Sequence, residues 1–392
     1  MTSPSPRVIH ATGGASTRRR VSLVLAFLVL AGCSSAGAIS RGDAGKSAGH
    51  AESGSMTAPA DGDVARAPTI DAAPPDACDP ARRGTCSSGR CLEILASEQF
   101  SPVGVAVAPT GVYWTNSARG IARTGSVVTV PLCGGAPRTI ASGRNGPSGI
   151  ALDGLGVFWG ETGSGSPDAA APGGVVSAPL GAASDSDGPM VIASAEWASG
   201  FVALDAANVY WANDTALVKV PRGGGVVTTL ATQTGVGHIA VDSTTLYWAA
   251  LEAGVMSVPL HGGTPTTLAS ADYALDVAVD ATSVYWVDAL GPSTVKKCAI
   301  GNCGATVVTL ASGQVYAVAV AVDATSVYWV NSCSAVTDTC SGGSVVKVAL
   351  GGGTPVTLAE AHGAPVAIAV DETSVYWTEA ASFGTVMKLT PK

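Results

Sequence analysis

Six aspartates recur at one register: Asp153, Asp205, Asp242, Asp280, Asp323 and Asp371. Each lies five residues before an aromatic, and Ala108 holds that place in a seventh, earlier copy. Carboxylates gathered in sets can do acid–base work or hold a hard cation. The periodicity assigns these another task. An Asp that opens a short turn ahead of a strand accepts the backbone N–H groups of that turn. A residue kept in nearly every repeat holds repeats together, so a site is expected where the repeat breaks. Three of the five histidines, His238, His261 and His362, fall in the repeated part. No His-Glu-x-x-His, Gly-x-Ser-x-Gly or phosphate-cradling pattern accompanies them. Glu196, Asp272 and His362 are the thin acid–base candidates. Asp185-Ser186-Asp187-Gly188 has the outline of a calcium loop but lacks its third acid and distal Glu, and reads as a solvated turn. Gly45-Lys46-Ser47 ends like a P-loop, yet Ser40 stands where that motif needs Gly. The expectation is no metal, no cofactor and no catalytic residue.

Cysteine chemistry points to disulfides. Apart from Cys33 there are eight: Cys78, Cys86, Cys91, Cys133, Cys298, Cys303, Cys333 and Cys340. An even count in an exported chain reads as four bridges. Cys298 and Cys303 flank a hairpin turn, and Cys333 and Cys340 bracket a long loop. The other four would pair among themselves, with Cys133 meeting one of the three N-terminal ones. Structural zinc needs closely spaced thiolate or His sets, which are lacking.

The elements that position these residues follow from a phrase met seven times, an aliphatic residue followed by an aromatic and Trp. The copies are Tyr113-Trp114, Phe158-Trp159, Tyr210-Trp211, Tyr247-Trp248, Tyr285-Trp286, Tyr328-Trp329 and Tyr376-Trp377. Self-similarity at about 40–50 residues means a radial array of sheets or a solenoid. Each copy holds four short runs bounded by turn residues: one closing on Asp, the Tyr-Trp run, one like Val255–Leu260 and one like Thr266–Ser270. Four antiparallel strands per unit make a β-propeller blade. The seventh unit stops after its third run, at Thr385–Leu389. The unmatched run Leu92–Ser97 is therefore expected to supply the seventh blade's fourth strand, giving 28 strands and leaving no open edge at the seam. Tyr-Trp pairs should be buried between blades.

The first 33 residues read as an export signal. Arg18, Arg19 and Arg20 precede the apolar run Val21–Leu30, which is too short for a permanent span. Leu30-Ala31-Gly32-Cys33 resembles the lipobox of bacterial lipoproteins, which implies cleavage before Cys33 and lipidation of its thiol. Ser34 resembles the outer-membrane-sorted class. Residues 34–77 carry almost no bulky apolar side chains and are expected to be disordered. The domains are then a signal peptide (1–32), a lipid-anchored disordered linker (33–77), a Cys-rich lead-in (78–91) and a seven-bladed β-propeller (92–392).

The phrases Val209-Tyr210-Trp211-Ala212-Asn213 and Val284-Tyr285-Trp286-Val287-Asp288 resemble the YWTD repeats of low-density-lipoprotein-receptor-type propellers, and also bacterial TolB-like propeller lipoproteins. The resemblance covers residues 92–392 and implies fold far more than function. YWTD propellers have six blades, whereas seven are counted here.

A net charge of −8 and a pI near 5.1 oppose nucleic-acid binding. Any membrane contact comes from the lipid anchor. At the connections between blades the repeat does break: Phe100, Trp197, Tyr273 and Tyr316 lie seven or eight residues before the Asp register, and His362 lies nine before it. They form a candidate aromatic collar at the channel mouth, suited to a protein, peptide or glycan partner. Alternatively, these aromatics cap the channel core. The sequence reads as a lipid-anchored binding or scaffolding module of the cell envelope. Its rivals are an envelope lyase or hydrolase acting on the same face, and a structural protein without a ligand.

Overall fold

The structure is a computed structural model. It describes residues 84–118, 123–163, 173–181, 188–195, 198–213, 215–332, 342–360, 363–381 and 383–392, with backbone alone at 195, 198 and 199. The proposed signal, Cys33, the linker, the Gly45-Lys46-Ser47 decoy and the 185–187 turn residues lie outside them. So do Cys78, Glu196, Trp197, Cys333, Cys340 and His362.

Seven antiparallel sheets form the blades of a propeller. Six come from four consecutive strands each, starting at Pro102–Ala108, Pro147–Leu152, Ala198–Leu204, Val236–Val241, Ala274–Val279 and Ala317–Val322 for blades 1 to 6. Blade 7 takes Pro365–Val370, Val375–Glu379 and Gly384–Thr390 from the C-terminus, and Arg90–Gln99 from the N-terminus. The closing strand pairs Leu92 with Leu389 and Ile94 with Met387. It runs longer than the expected 92–97 and pairs outward with a further strand, Gly84–Ser87. That hairpin makes blade 7 five-stranded and brings the described strands to 29 rather than 28. Cys86 and Cys91 face each other across it and are disulfide-bonded, as are Cys298 and Cys303 in blade 5. Cys133 is also disulfide-bonded.

The Tyr-Trp run is the second strand of each blade, and β-branched neighbours let both its faces bury. In Ser326–Asn331 all six residues are buried. The core consists of seven clusters, one per junction, each joining the aromatic of one blade to the Trp of the next: Tyr210 with Trp248, Tyr247 with Trp286, Tyr376 with Trp114, and so around the ring. All seven repeat tryptophans are among the fully buried side chains.

The recurring Asp closes the turn between first and second strands. In blade 5, Asp280 Oδ1 accepts the N–H groups of Thr282 (2.7 Å) and Ser283 (2.8 Å). Its Oδ2 accepts the Tyr285 hydroxyl at 2.7 Å. The same clasp joins Asp205 to Tyr210, Asp242 to Tyr247, Asp323 to Tyr328 and Asp371 to Tyr376. Blade 2 has Phe158 in place of Tyr, and a neighbour compensates: Arg222 of blade 3 pairs with Asp153 and lies over the Phe158 ring. The repeated carboxylates are therefore structural.

Side chains also bridge the blades on this turn face. Lys219, Lys297 and Lys388 each stand opposite the Tyr of their own blade in register. Their ammonium groups bond the carbonyls of Leu260, Leu350 and Leu132, which lie just past the third strand of the following blade. Tyr113 donates to the equivalent Leu180 carbonyl, and Lys392 of blade 7 pairs with Asp323 of blade 6 at 2.6 Å.

Candidate functional site

Each innermost strand enters from the loop face and runs along the channel to its Asp turn. Four residues before that Asp, the chain slips register against the second strand or lies next to such a slip. Bulges of this kind re-aim a side chain. Around the ring this position reads Gly104, Gly149, Phe201, His238, Asp276, Ala319 and Ala367. In blades 1 and 2 the backbone of the next blade presses against it: a Cβ on Gly104 would stand 2.5 Å from the Ser148 carbonyl oxygen, and one on Gly149 2.7 Å from Phe201 Cα. Blades 3, 4 and 5 instead carry a phenyl ring, an imidazole and a carboxylate.

These three side chains form a chain across adjacent blades. Asp276 is buried, and its carboxylate accepts the N–H of Val277 at 2.7 Å and of Val320, on blade 6, at 2.8 Å. His238 Nδ1 lies 3.0 Å from Asp276 Oδ1. A carboxylate bonded in this way accepts, so Nδ1 is the donor of this contact and Nε2 is left as the ring's second hydrogen-bonding nitrogen. Phe201 packs on the imidazole, with centroids 3.7 Å apart and planes at 33°. The His238 side chain keeps 30% of its surface exposed, and Nε2 has no partner among the described residues. The result is a hydrogen-bonding group of fixed orientation, walled by an aromatic ring, near the loop-face end of the channel.

At the mouth, Tyr273 and Tyr316 end the connections into blades 5 and 6. Asp288, itself paired with Lys296 at 3.3 Å, accepts the Tyr273 backbone N–H, and Ser332 donates its N–H to the Tyr316 carbonyl. Tyr316 adopts a left-handed φ of 49° and is 37% exposed. Burial raises its phenol pKa, and the Tyr273 phenol adds to the shift. Phe100 lies apart from this pair and is 60% exposed, its ring 5.5 Å from Phe383 of blade 7. The described members of the expected collar thus fall into two groups, Tyr273 with Tyr316 and Phe100 with Phe383, while Trp197 and His362 lie outside the described residues. Asp272 is exposed and makes no ion pair among the described residues. The Phe201–His238–Asp276 row was not anticipated. Its signal was present in the sequence, since stacking the seven Asp-closing runs places three large or polar side chains in consecutive copies where the others have Gly or Ala.

No family model matches the chain, and no curated protein matches it. Solved structures do match. The WD40 propeller domain of Doa1 aligns at 12% identity over 77% of this chain and 97% of that one, with a TM-score of 0.57. An oligogalacturonate lyase in complex with manganese aligns at 12% identity over 79% and 95%, with a TM-score of 0.56. A nidogen/laminin complex and TolB from Acinetobacter baumannii match at 19% and 11% identity, covering 54% and 69% of this chain and 79% and 61% of theirs, with TM-scores of 0.41 and 0.44. The likeness is one of fold. Among the described residues, no group of three or more His, Cys, Asp or Glu is placed to hold a metal ion.

Proposed function

We propose that the chain is an exported binding module of the cell envelope, lipid-anchored through Cys33, that takes a glycan or peptide segment at the loop-face mouth of its propeller. The Phe201–His238–Asp276 row supports this reading. It is a departure from the repeat carried by three consecutive blades, and it combines an aromatic wall with a fixed polar group, as pockets for ring-bearing ligands do. Tyr273 and Tyr316 extend that surface outward. A central anchor of this kind contributes about 2 kcal/mol or more to binding, roughly a thirtyfold change in affinity.

The test is binding of the full chain to arrays of envelope glycan fragments and short peptides, compared with His238→Ala and Tyr316→Ala. Loss of a specific signal in both variants, with unchanged thermal unfolding, supports the site. A ligand that both variants bind as tightly as the wild type would place recognition elsewhere. One observation favours an enzyme on the same face: a carboxylate-held imidazole with an unpartnered Nε2 can also accept a proton from a substrate. Turnover of any bound glycan, abolished in His238→Ala, would establish that reading instead.

A further inference from the structure

The turn face holds a second departure from the repeat, independent of the loop-face reading. At the junctions from blade 7 to 1, 3 to 4 and 5 to 6, a lysine opposite the repeat Tyr reaches the carbonyl just past the third strand of the next blade. Tyr113 bonds that carbonyl between blades 1 and 2. Between blades 2 and 3, and between 6 and 7, Arg222 and Lys392 reach back to the preceding blade's Asp. The junction from blade 4 to blade 5 lacks such a bridge among the described residues. Ser257 stands opposite Tyr247, where Lys219, Lys297 and Lys388 stand opposite theirs. The equivalent carbonyl, that of Ile300, accepts no hydrogen bond among the described residues.

A cavity of about 210 Å³ occupies the place of the missing lysine. Tyr247, Ser257 and Leu268 of blade 4 and Val284, Ile300 and Cys303 of blade 5 are among its lining residues. Leu268 and Val284 supply apolar lining and Thr245, Tyr247 and Ser257 supply hydroxyls, while Ile300, whose carbonyl is the counterpart of the lysine acceptors at the other junctions, also lines the cavity. Behind Tyr247 stands Asp242, which accepts the phenol at 2.8 Å. Hydrogen bonds from the Tyr and the turn lower the Asp242 pKa against the opposing effect of burial, so the carboxylate is anionic at neutral pH. Hydroxyl-bearing side chains thus line the cavity, and the Asp242 carboxylate is hydrogen-bonded to one of them.

We propose that this cavity binds a primary alkylammonium group, in the pose that the protein's own lysines adopt at three other junctions. The alkyl chain lies along Leu268 and Val284. The ammonium group donates to the Ile300 carbonyl and the Ser257 hydroxyl, facing the Tyr247–Asp242 pair. The cation comes either from a free small amine or from a lysine side chain of a peptide, and both present the same group.

The experiment is an NMR titration of the full chain with n-butylammonium, with n-butanol as the uncharged analogue and Nα-acetyl-lysine methylamide as the peptide-borne form. Saturable binding of n-butylammonium, at least tenfold tighter than n-butanol, is expected. Ser257→Lys, which supplies the internal ammonium, should weaken that binding at least tenfold. Ser257→Met, which fills the cavity without charge, should do the same and serves if the Lys variant does not fold. Tighter binding of the lysine derivative identifies a peptide source, and tighter binding of the free amine a metabolite source. Equal affinity for n-butanol and n-butylammonium, no saturable binding of either cation, or undiminished binding in a folded Ser257 variant would each overturn the proposal. Because the site lies on the opposite face from His238, His238→Ala should leave this titration unchanged, which separates its failure from that of the loop-face reading.

Discussion

At the residue scale, the Asp–Tyr clasp couples the fold to pH from both sides. Burial works against ionisation of Asp205, Asp242 and Asp280, but the Tyr hydroxyl and two turn N–H groups outweigh it and hold these carboxyls below their ordinary value. A lowered pKa in the folded state contributes stability that is present above the unfolded value, near pH 4, and is lost as pH falls through the folded one. The tyrosines respond in the opposite sense. Burial, with the Asp bond adding to it, pushes Tyr247, Tyr285 and Tyr328 up to about 12. Their contribution is complete below the unfolded phenol value, about 10, and is lost as pH rises through about 12. The thermal midpoint should therefore be nearly flat between about pH 5 and 9 and fall on both sides. Tyr285→Phe deletes one donor and leaves Asp280 Oδ2 without its phenol, which should cost about 1–3 kcal/mol and reduce the loss at high pH. A variant as stable as the wild type at neutral pH would show that the clasp carries no net energy. The Arg222–Asp153 pair beside Phe158 follows the same logic, because where the phenol is missing, a cation from the next blade takes over its carboxylate.

At the level of elements, the ring depends on a strand borrowed from the far end of the chain. Arg90–Gln99 buries Glu93, Leu95 and Ala96, and Gln99 accepts both the Trp114 indole N–H (2.9 Å) and the Asn116 amide (3.0 Å) of blade 1. Deleting 84–99 would expose the edge of Gly384–Thr390 and free two buried donors, so the thermal midpoint should drop sharply. Deleting 36–70 should change it little. Equal effects of the two deletions would contradict this closure. The closure was legible because a third-strand run with no fourth, and a fourth-strand run with no third, can be matched by counting phrases. The outer strand Gly84–Ser87 was not legible: it belongs to no repeat, and its pairing rests on a two-residue turn and the Cys86–Cys91 bridge. The Phe201–His238–Asp276 row escaped notice for a different reason. Its members are 37 or 38 residues apart in sequence, and they become neighbours only once the bulged strands stand side by side. The Asp–Tyr hydroxyl bond lay between these extremes, since the spacing placed Asp in the turn but not its second oxygen against the phenol.

Across the whole molecule, what is repeated and what is exceptional fall in different places. Stability lies in the seven junction clusters, where every repeat Trp is buried against the preceding blade. The exceptions gather in one sector. The imidazole–carboxylate pair joins blades 4 and 5, the alkylammonium-sized cavity lies at the same junction on the other face, and Tyr273 and Tyr316 flank blade 5. Among the described residues, the indole N–H groups of Trp211, Trp248 and Trp286, in blades 3 to 5, are also the ones without a partner, whereas Gln or Glu oxygens accept those of Trp114, Trp159, Trp329 and Trp377. Folding and recognition should therefore separate under mutation. Trp248→Ala removes a fully buried side chain from a junction cluster and should cost about 3–5 kcal/mol of stability. Tyr316→Ala, at a half-exposed mouth position, should stay within about 0.5 kcal/mol of the wild type while weakening any loop-face ligand. Thermal and denaturant unfolding of the two variants decides the matter. If Tyr316→Ala destabilises the fold as much as Trp248→Ala does, the mouth aromatics belong to the core of the ring, and recognition must be sought at the His238 row alone.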